Sequence, residues 1–240
     1  MVRLCREHAP HSQVIVGGHV ANCPEVDKVV LADHIVKGEG IQWLRNFLGE
    51  DPQAPIQHPK LSSAFGLRTL GLQIPEKPGE TAAIVIPSVG CPMGCNFCAT
   101  SAMFGGKGNF QHFYQSGEEL FEKMLQVEEA LKVNSFFIMD ENFLFHRKRA
   151  LELLELMEQH DKAWSLYVFS SAKILESFGI EKLLRLGISW IWIGLEGAGS
   201  PYEKLKGTDT KALIAKMQEH EIKFLCSFLV LFYHHSPSNI

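Results

Sequence analysis

No run of apolar residues in the 240-residue chain approaches the roughly 20 that a membrane-spanning helix needs, and the longest candidate, residues 224–233, falls well short. A large excess of charge is also lacking, since 23 Lys and Arg stand against 27 Asp and Glu, for a net charge of −4. That balance argues against broad electrostatic binding to nucleic acid or to an anionic membrane surface. The N-terminus has no signal-peptide core, because Arg3, Arg6 and Glu7 interrupt it at once, and a cytoplasmic setting is expected. Disulfide-style cysteine spacing is missing too. Cys91, Cys95 and Cys98 fall within eight residues while Cys5, Cys23 and Cys226 are scattered, and such a cluster points to a metal site before a staple. Gly105-Gly106-Lys107-Gly108 lacks the spacing and the following Ser or Thr of a phosphate loop, and reads instead as a flexible flap near the cysteines.

What is present is an α/β rhythm. The hydrophobic fraction of 46% and charged fraction of 21% are ordinary for a chain with a packed core. Val14-Ile15-Val16 runs into Gly17-Gly18, His34-Ile35-Val36 into Gly38-Glu39-Gly40, and a helix from Ile41 to Leu48 closes at Gly49. Residues 51–80 carry five of the 11 prolines and little periodicity, the composition of a linker. From residue 81 strands and helices alternate. Strands are expected over Ala82 to Ile86, Ser135 to Met139, Leu166 to Phe169, Ser189 to Ile193 and Phe224 to Leu231. Helices are expected between them, the first opening at Ser116 as N-cap with Glu118 and Glu119 in its first turn. Five such repeats imply a parallel sheet with helical crossovers.

The segment Gly90-Cys91-Pro92-Met93-Gly94-Cys95-Asn96-Phe97-Cys98 follows the first of these strands with the spacing Cys-x3-Cys-x2-Cys. Thiolates are soft ligands suited to iron–sulfur clusters. Three of them can hold three irons of a cubane and leave the fourth open, and an open position marks a catalytic metal site. Gly90 and Gly94 let the backbone fold closely, and Phe97 would shield the cluster. Two plainer readings stay open: structural zinc with His112 as a fourth ligand, or three buried thiols.

At these residues the chain resembles the radical S-adenosylmethionine (SAM) superfamily, which carries this motif after the first barrel strand with an aromatic residue before the last cysteine. The resemblance implies a 4Fe–4S cluster on Cys91, Cys95 and Cys98 whose open iron binds SAM. Reductive cleavage then gives a 5′-deoxyadenosyl radical for hydrogen abstraction, with methyl transfer an open extension. The acidic end of the second strand, Asp140-Glu141-Asn142, looks like the SAM-binding variant of cobalamin-associated members; its plainer reading is a helix-capping turn. Ser170, with Ser171, is a hydroxyl partner for SAM or an N-cap. Glu196, in Ile193-Gly194-Leu195-Glu196, resembles the acidic residue facing SAM in those members. Phe97, Asp140, Glu141, Asn142, Ser170 and Glu196 are thus the expected cofactor contacts. By contrast His146-Arg147-Lys148-Arg149 reads as a solvated basic run opening a helix.

The first fifty residues are similar to the second half of a cobalamin-binding domain, in which the Gly17-Gly18 turn would lie against the corrinoid's nucleotide tail. The Asp-x-His-x-x-Gly motif is absent, and Asp33-His34 has the wrong spacing. The expected organisation is therefore a partial cobalamin-binding-like α/β domain at 1–50, a linker at 51–80, and a radical SAM core of partial (β/α) barrel type at 81–240, both ends reading as cut. The partners it implies are a small-molecule or lipid-like substrate and an electron donor such as flavodoxin or ferredoxin. The rival reading is a non-catalytic iron–sulfur electron-transfer or sensing protein.

Overall fold

The computed structural model describes residues 2–55, 82–95, 97–195 and 208–227. Most of the expected linker, Glu196, and the end of the last expected strand lie outside the described residues. The described chain falls into two compact units, one of residues 2–55 with Gly90–Gln111, the other of 82–89, 112–195 and 208–227. The cysteine segment is thus counted with the N-terminal residues, a division that does not follow chain order.

In the first unit, α1 (Val2–His8), β1 (Ile15–Val16), α2 (Val26–Val29), β2 (His34–Ile35) and α3 (Gly40–Leu48) precede α4 (Ala99–Met103), which opens directly after Cys98. β1 and β2 pair in parallel, Ile15 opposite His34. Glu39 caps α3, its carboxylate accepting from the backbone N–H of Ile41 at 2.5 Å and of Gln42 at 3.0 Å. Gly49 closes α3 with φ +76°, a left-handed conformation that glycine adopts without strain.

The second unit holds β3 (Ala83–Val85), β4 (Ser88–Val89), α5 (Gly117–Leu131), β6 (Ser135–Ile138), α6 (Arg147–Gln159), β7 (Ser165–Ser170), α7 (Ala172–Phe178), α8 (Ile180–Arg185), β8 (Ile188–Gly194), α9 (Thr210–Gln218) and β9 (Lys223–Ser227), with β5 (Gln111–His112) where the chain returns to it. Its main sheet runs β3-β6-β7-β8-β9, every neighbouring pair parallel. The order never reverses, so the sheet is wound in the barrel manner and not doubly wound about a switch point. Val85, Phe136, Ile138, Leu166, Val168, Ile191 and Ile193 form one core with Leu120, Met124, Leu153, Met157, Leu175, Leu183 and Met217 from the helices.

Strict alternation does not hold in β8. Between Leu166–Tyr167 and their partners the register jumps from Ile188 to Trp190, a bulge at Ser189 that puts Ile188 on the same buried side as Ile191 and Ile193. The opposite face then carries aromatic rings, developed below.

Ser116 caps α5 as the sequence predicts, and the box is complete: its hydroxyl accepts from Glu119 N–H at 3.1 Å while the Glu119 carboxylate accepts from Ser116 N–H at 3.2 Å. Ser116→Ala is expected to lower stability by about 1 kcal/mol, with Ser116→Asp close to neutral, as read from urea unfolding midpoints.

Candidate cluster and cofactor site

The cysteine loop is shaped by its glycines. Gly94 has φ +68°, and a Cβ there would lie 2.4 Å from Lys107 Cβ and 2.6 Å from Lys107 Cα. Gly90 has φ +91°, with Phe104 Cγ and Phe110 Cα both 3.0 Å from the place of its Cβ. Gly108 N–H donates to Pro92 O at 3.1 Å and Gly106 N–H to Ser101 O at 2.7 Å. The Gly105–Gly108 segment, expected as a flexible flap, is therefore folded back onto the loop and hydrogen-bonded to it. Cys98 N–H donates to Cys95 O at 3.1 Å, closing a tight turn that contains the half-buried Phe97. Cys91, Cys95 and Cys98 are all half-buried thiols.

This donor set suits a cubane. Three thiolates are the soft donors that an iron–sulfur cluster takes, and a cubane presents a different iron to each of them. The cradle is backbone, and at Gly94 any side chain would collide with it.

In the second unit, buried polar groups gather where β3 and β6 end. Asp140 is 1% exposed. Its Oδ2 accepts from the Ser88 hydroxyl and from Arg149 Nη2, the latter at 2.5 Å, and its Oδ1 accepts from Asn142 N–H at 3.1 Å. Arg149 Nη1 donates to Tyr114 O at 3.0 Å and lies 3.3 Å from His112 Nδ1. Arg149 is only 2% exposed, which corrects the reading of residues 146–149 as solvated surface: Lys148 faces water, but Arg149 shares the buried face of α6 with Leu153 and Met157. Burial depresses the Arg149 pKa, opposed by the Asp140 charge.

The remaining expected residues are placed as follows. Asn142 is buried, and the Ser170 hydroxyl at the end of β7 donates to its Oδ1 at 3.2 Å. Ser171 occupies the N-cap position of α7 without a capping bond, and its hydroxyl has no partner among the described residues. Glu141 is exposed. Gly18 has φ +73° with nothing within 4 Å of the place of a Cβ, so the Gly17–Gly18 turn is open on that side. His34 packs its ring on Trp43 and Phe47, centroids 5.5 and 5.1 Å away.

His112 and His146 pack edge to face with centroids 4.8 Å apart. Burial first, then the Arg149 charge, push His146 down to about 4 and lower His112 as well. Both rings are neutral at pH 7. In the unfolded chain imidazoles titrate near 6.5, so between about pH 6.5 and 4 the unfolded state takes up protons that the native state refuses. Stability is expected to be full above that window and to fall as pH drops through it. Thermal melting at pH 7.5 and pH 5 checks this, and His146→Gln is expected to flatten the loss.

The sequence reading missed the aromatic face of the sheet. Phe137 stacks on Tyr167 at 4.6 Å and Phe169 on Trp192 at 5.0 Å, Trp190 lies 5.9 Å from Tyr167, and Lys223 Nζ sits 5.3 Å over the Trp190 ring. A cavity of about 1060 Å³ opens where these strands begin, lined by Ser135, Ser165, Tyr167, Ser189, Trp190 and Lys223 among others, at the opposite end of the strands from Asp140 and Ser170. The signal was available: Tyr167 and Phe169, then Trp190 and Trp192, recur with the strand period of two on the side away from the aliphatic core.

The profile of the radical SAM superfamily matches residues 85–240. The chain belongs to the radical SAM superfamily. That membership brings a 4Fe–4S cluster and SAM as cofactors, and Cys-x3-Cys-x2-Cys lies within the matched residues. The chain is similar to bacteriochlorophyllide d C-12(1)-methyltransferase of Chlorobaculum tepidum, 26% identical over 147 residues that cover 58% of this chain and 31% of the relative. In fold it is similar to the radical SAM methyltransferase TsrM of Kitasatospora setae. One structure, with tryptophan substrate and a SAM analogue bound, aligns at a TM-score of 0.61 and 16% identity over 95% of this chain and 51% of that one. A second, with cobalamin and a [4Fe–4S] cluster bound, aligns at 0.56 and 13% identity over 90% and 49%. The chain thus spans about a third of the curated relative and half of TsrM. Among the described residues no helix is long and apolar enough to cross a membrane.

Proposed function

We propose that this chain is the cofactor-binding part of a radical SAM methyltransferase acting on a planar, largely apolar small molecule. The observation that carries the reading is the three-cysteine loop, closed by backbone at Gly94, in a chain of this superfamily. Bound to Cys91, Cys95 and Cys98, the cluster would supply one electron to SAM, whose cleavage gives methionine and a 5′-deoxyadenosyl radical able to take a hydrogen atom from substrate. Phe97 would exclude water beside it, and Glu141, Asn142, Ser170 and Glu196 are the residues proposed to meet SAM. Methyl transfer is supported by the name of the bacteriochlorophyllide relative. A planar substrate is supported by the accessible rings of Tyr167, Phe169, Trp190 and Trp192, since stacked rings favour flat apolar partners. Cobalamin is the second cofactor of this reading, with Gly17 and Gly18 as its contacts here. The electron comes from a flavodoxin or ferredoxin in a cytosolic setting.

The test is electron paramagnetic resonance of the anaerobically reconstituted, dithionite-reduced protein with and without SAM. A cubane signal that shifts on adding SAM is the expected result. A signal indifferent to SAM would leave an electron carrier as the better reading, and the lack of any cluster signal would refute both.

A further inference from the structure

We propose that Arg149 is a positioning residue whose guanidinium, through Asp140, clamps both stems of the cysteine segment to the end of β6; the proposal rests on the radical SAM reading above. Asp140 follows β6, and Arg149 sits in the first turn of α6. Ser88, which donates to Asp140, lies two residues before Gly90, where the cysteine segment leaves the sheet unit. His112 and Tyr114, which face Arg149, lie where the chain returns to that unit. The same stems are also joined by backbone, Phe113 and Tyr114 N–H both donating to Pro87 O, at 2.9 and 3.1 Å. One guanidinium therefore ties the departing strand, through Asp140 and Ser88, to the returning one, through Tyr114 O and His112.

Two physical arguments assign this pair a geometric role beyond stability. A buried ion pair loses so much hydration that apolar residues of similar volume often serve stability equally well. What an apolar substitute cannot do is fix directions, and the planar fork of arginine reaches two acceptors at a set angle where an ammonium does not. The carboxylate of Asp140 is also engaged on both oxygens, by Ser88 and Arg149 on one and Asn142 N–H on the other. Asp140 consequently acts on the cofactors through the loop it anchors, and the SAM contacts at this strand end pass to its neighbours. Supporting residues of this kind typically affect metal affinity or activity by about 10- to 100-fold when replaced.

Arg149→Lys keeps the charge and removes the fork. The expected result is a protein that melts near the wild-type temperature and binds iron, whose reduced-cluster signal is shifted or broadened without SAM. The SAM concentration needed for the half-maximal spectral change should rise at least about tenfold. A variant with a lowered melting temperature but a wild-type cluster signal and SAM titration would overturn the proposal, because a purely stabilising residue behaves that way. Should the lysine variant fail to fold, the neutral pair Arg149→Gln with Asp140→Asn removes both buried charges together. The same spectral change is expected of it, and a wild-type spectrum, or failure of this variant also to fold, would overturn the role. Wild-type protein whose cluster ignores SAM would refute the radical SAM reading by itself, while the SAM-free spectra of the variants still decide the role of Arg149.

Discussion

Cys95→Ala is expected to abolish SAM cleavage, with 5′-deoxyadenosine falling to the level found without protein, and to lose most of the iron and sulfide after reconstitution. The thiolate is the ligand, and with three protein ligands for four irons the loop has none to spare. Within its own unit the His112 ring is engaged by Arg149 and His146. Cys226→Ala is the matching control. Burial pushes the Cys226 thiol pKa up, so at neutral pH it stays protonated and is a poor ligand; it lies in β9, packed on the core. Iron content and SAM cleavage in this variant should remain at wild-type levels. Retained activity in Cys95→Ala, or an iron loss shared equally by Cys226→Ala, would remove the cluster assignment.

The parallel sheet was legible because each strand is a short run of β-branched and aromatic residues stopped by a turn, and each helix has its own phase. The loop chemistry was legible because Cys-x3-Cys-x2-Cys is local in sequence. What escaped the sequence depends on partners far along the chain. Arg149 was hidden in a basic run, although it stands four residues before Leu153 and eight before Met157, on the buried helical face; pairing it needs Asp140 on another element. The bulge at Ser189 is set by pairing with β7, so no property of β8 alone announces it. The three hydrogen bonds that hold Asp140 come from Ser88, Arg149 and Asn142, the first two of them distant in sequence or on another element. A strand-end carboxylate looks the same in sequence whether it meets a ligand or a buried guanidinium.

Gly94→Ala separates the shape of the cysteine loop from its ligands, since no sulfur is removed. Two costs act on it. The first is conformational: φ of +68° is left-handed, which disfavours a residue with a Cβ by about 1–2 kcal/mol. The second is steric, and it is larger in consequence. The new methyl would lie 2.6 Å from Lys107 Cα and 2.9 Å from Lys107 N, whereas carbon contacts settle at about 3.5–4.0 Å. Backbone must therefore move by about 1 Å, either in the loop or in the segment that closes over it. Displacement of that size in a site that positions reacting groups can cost about 100-fold in rate, and SAM cleavage by Gly94→Ala is expected to fall by about that factor with reduced iron loading. Gly108→Ala is the control that isolates the steric part. It has a similar φ of +84° but nothing within 4 Å of its Cβ, and its N–H to Pro92 O bond survives the substitution. Gly108→Ala should thus lose about 1–2 kcal/mol of stability and keep its iron and its rate. If the two variants lose iron and activity equally, backbone strain alone accounts for both, and the close packing of Lys107 on the loop has no part in holding the cluster.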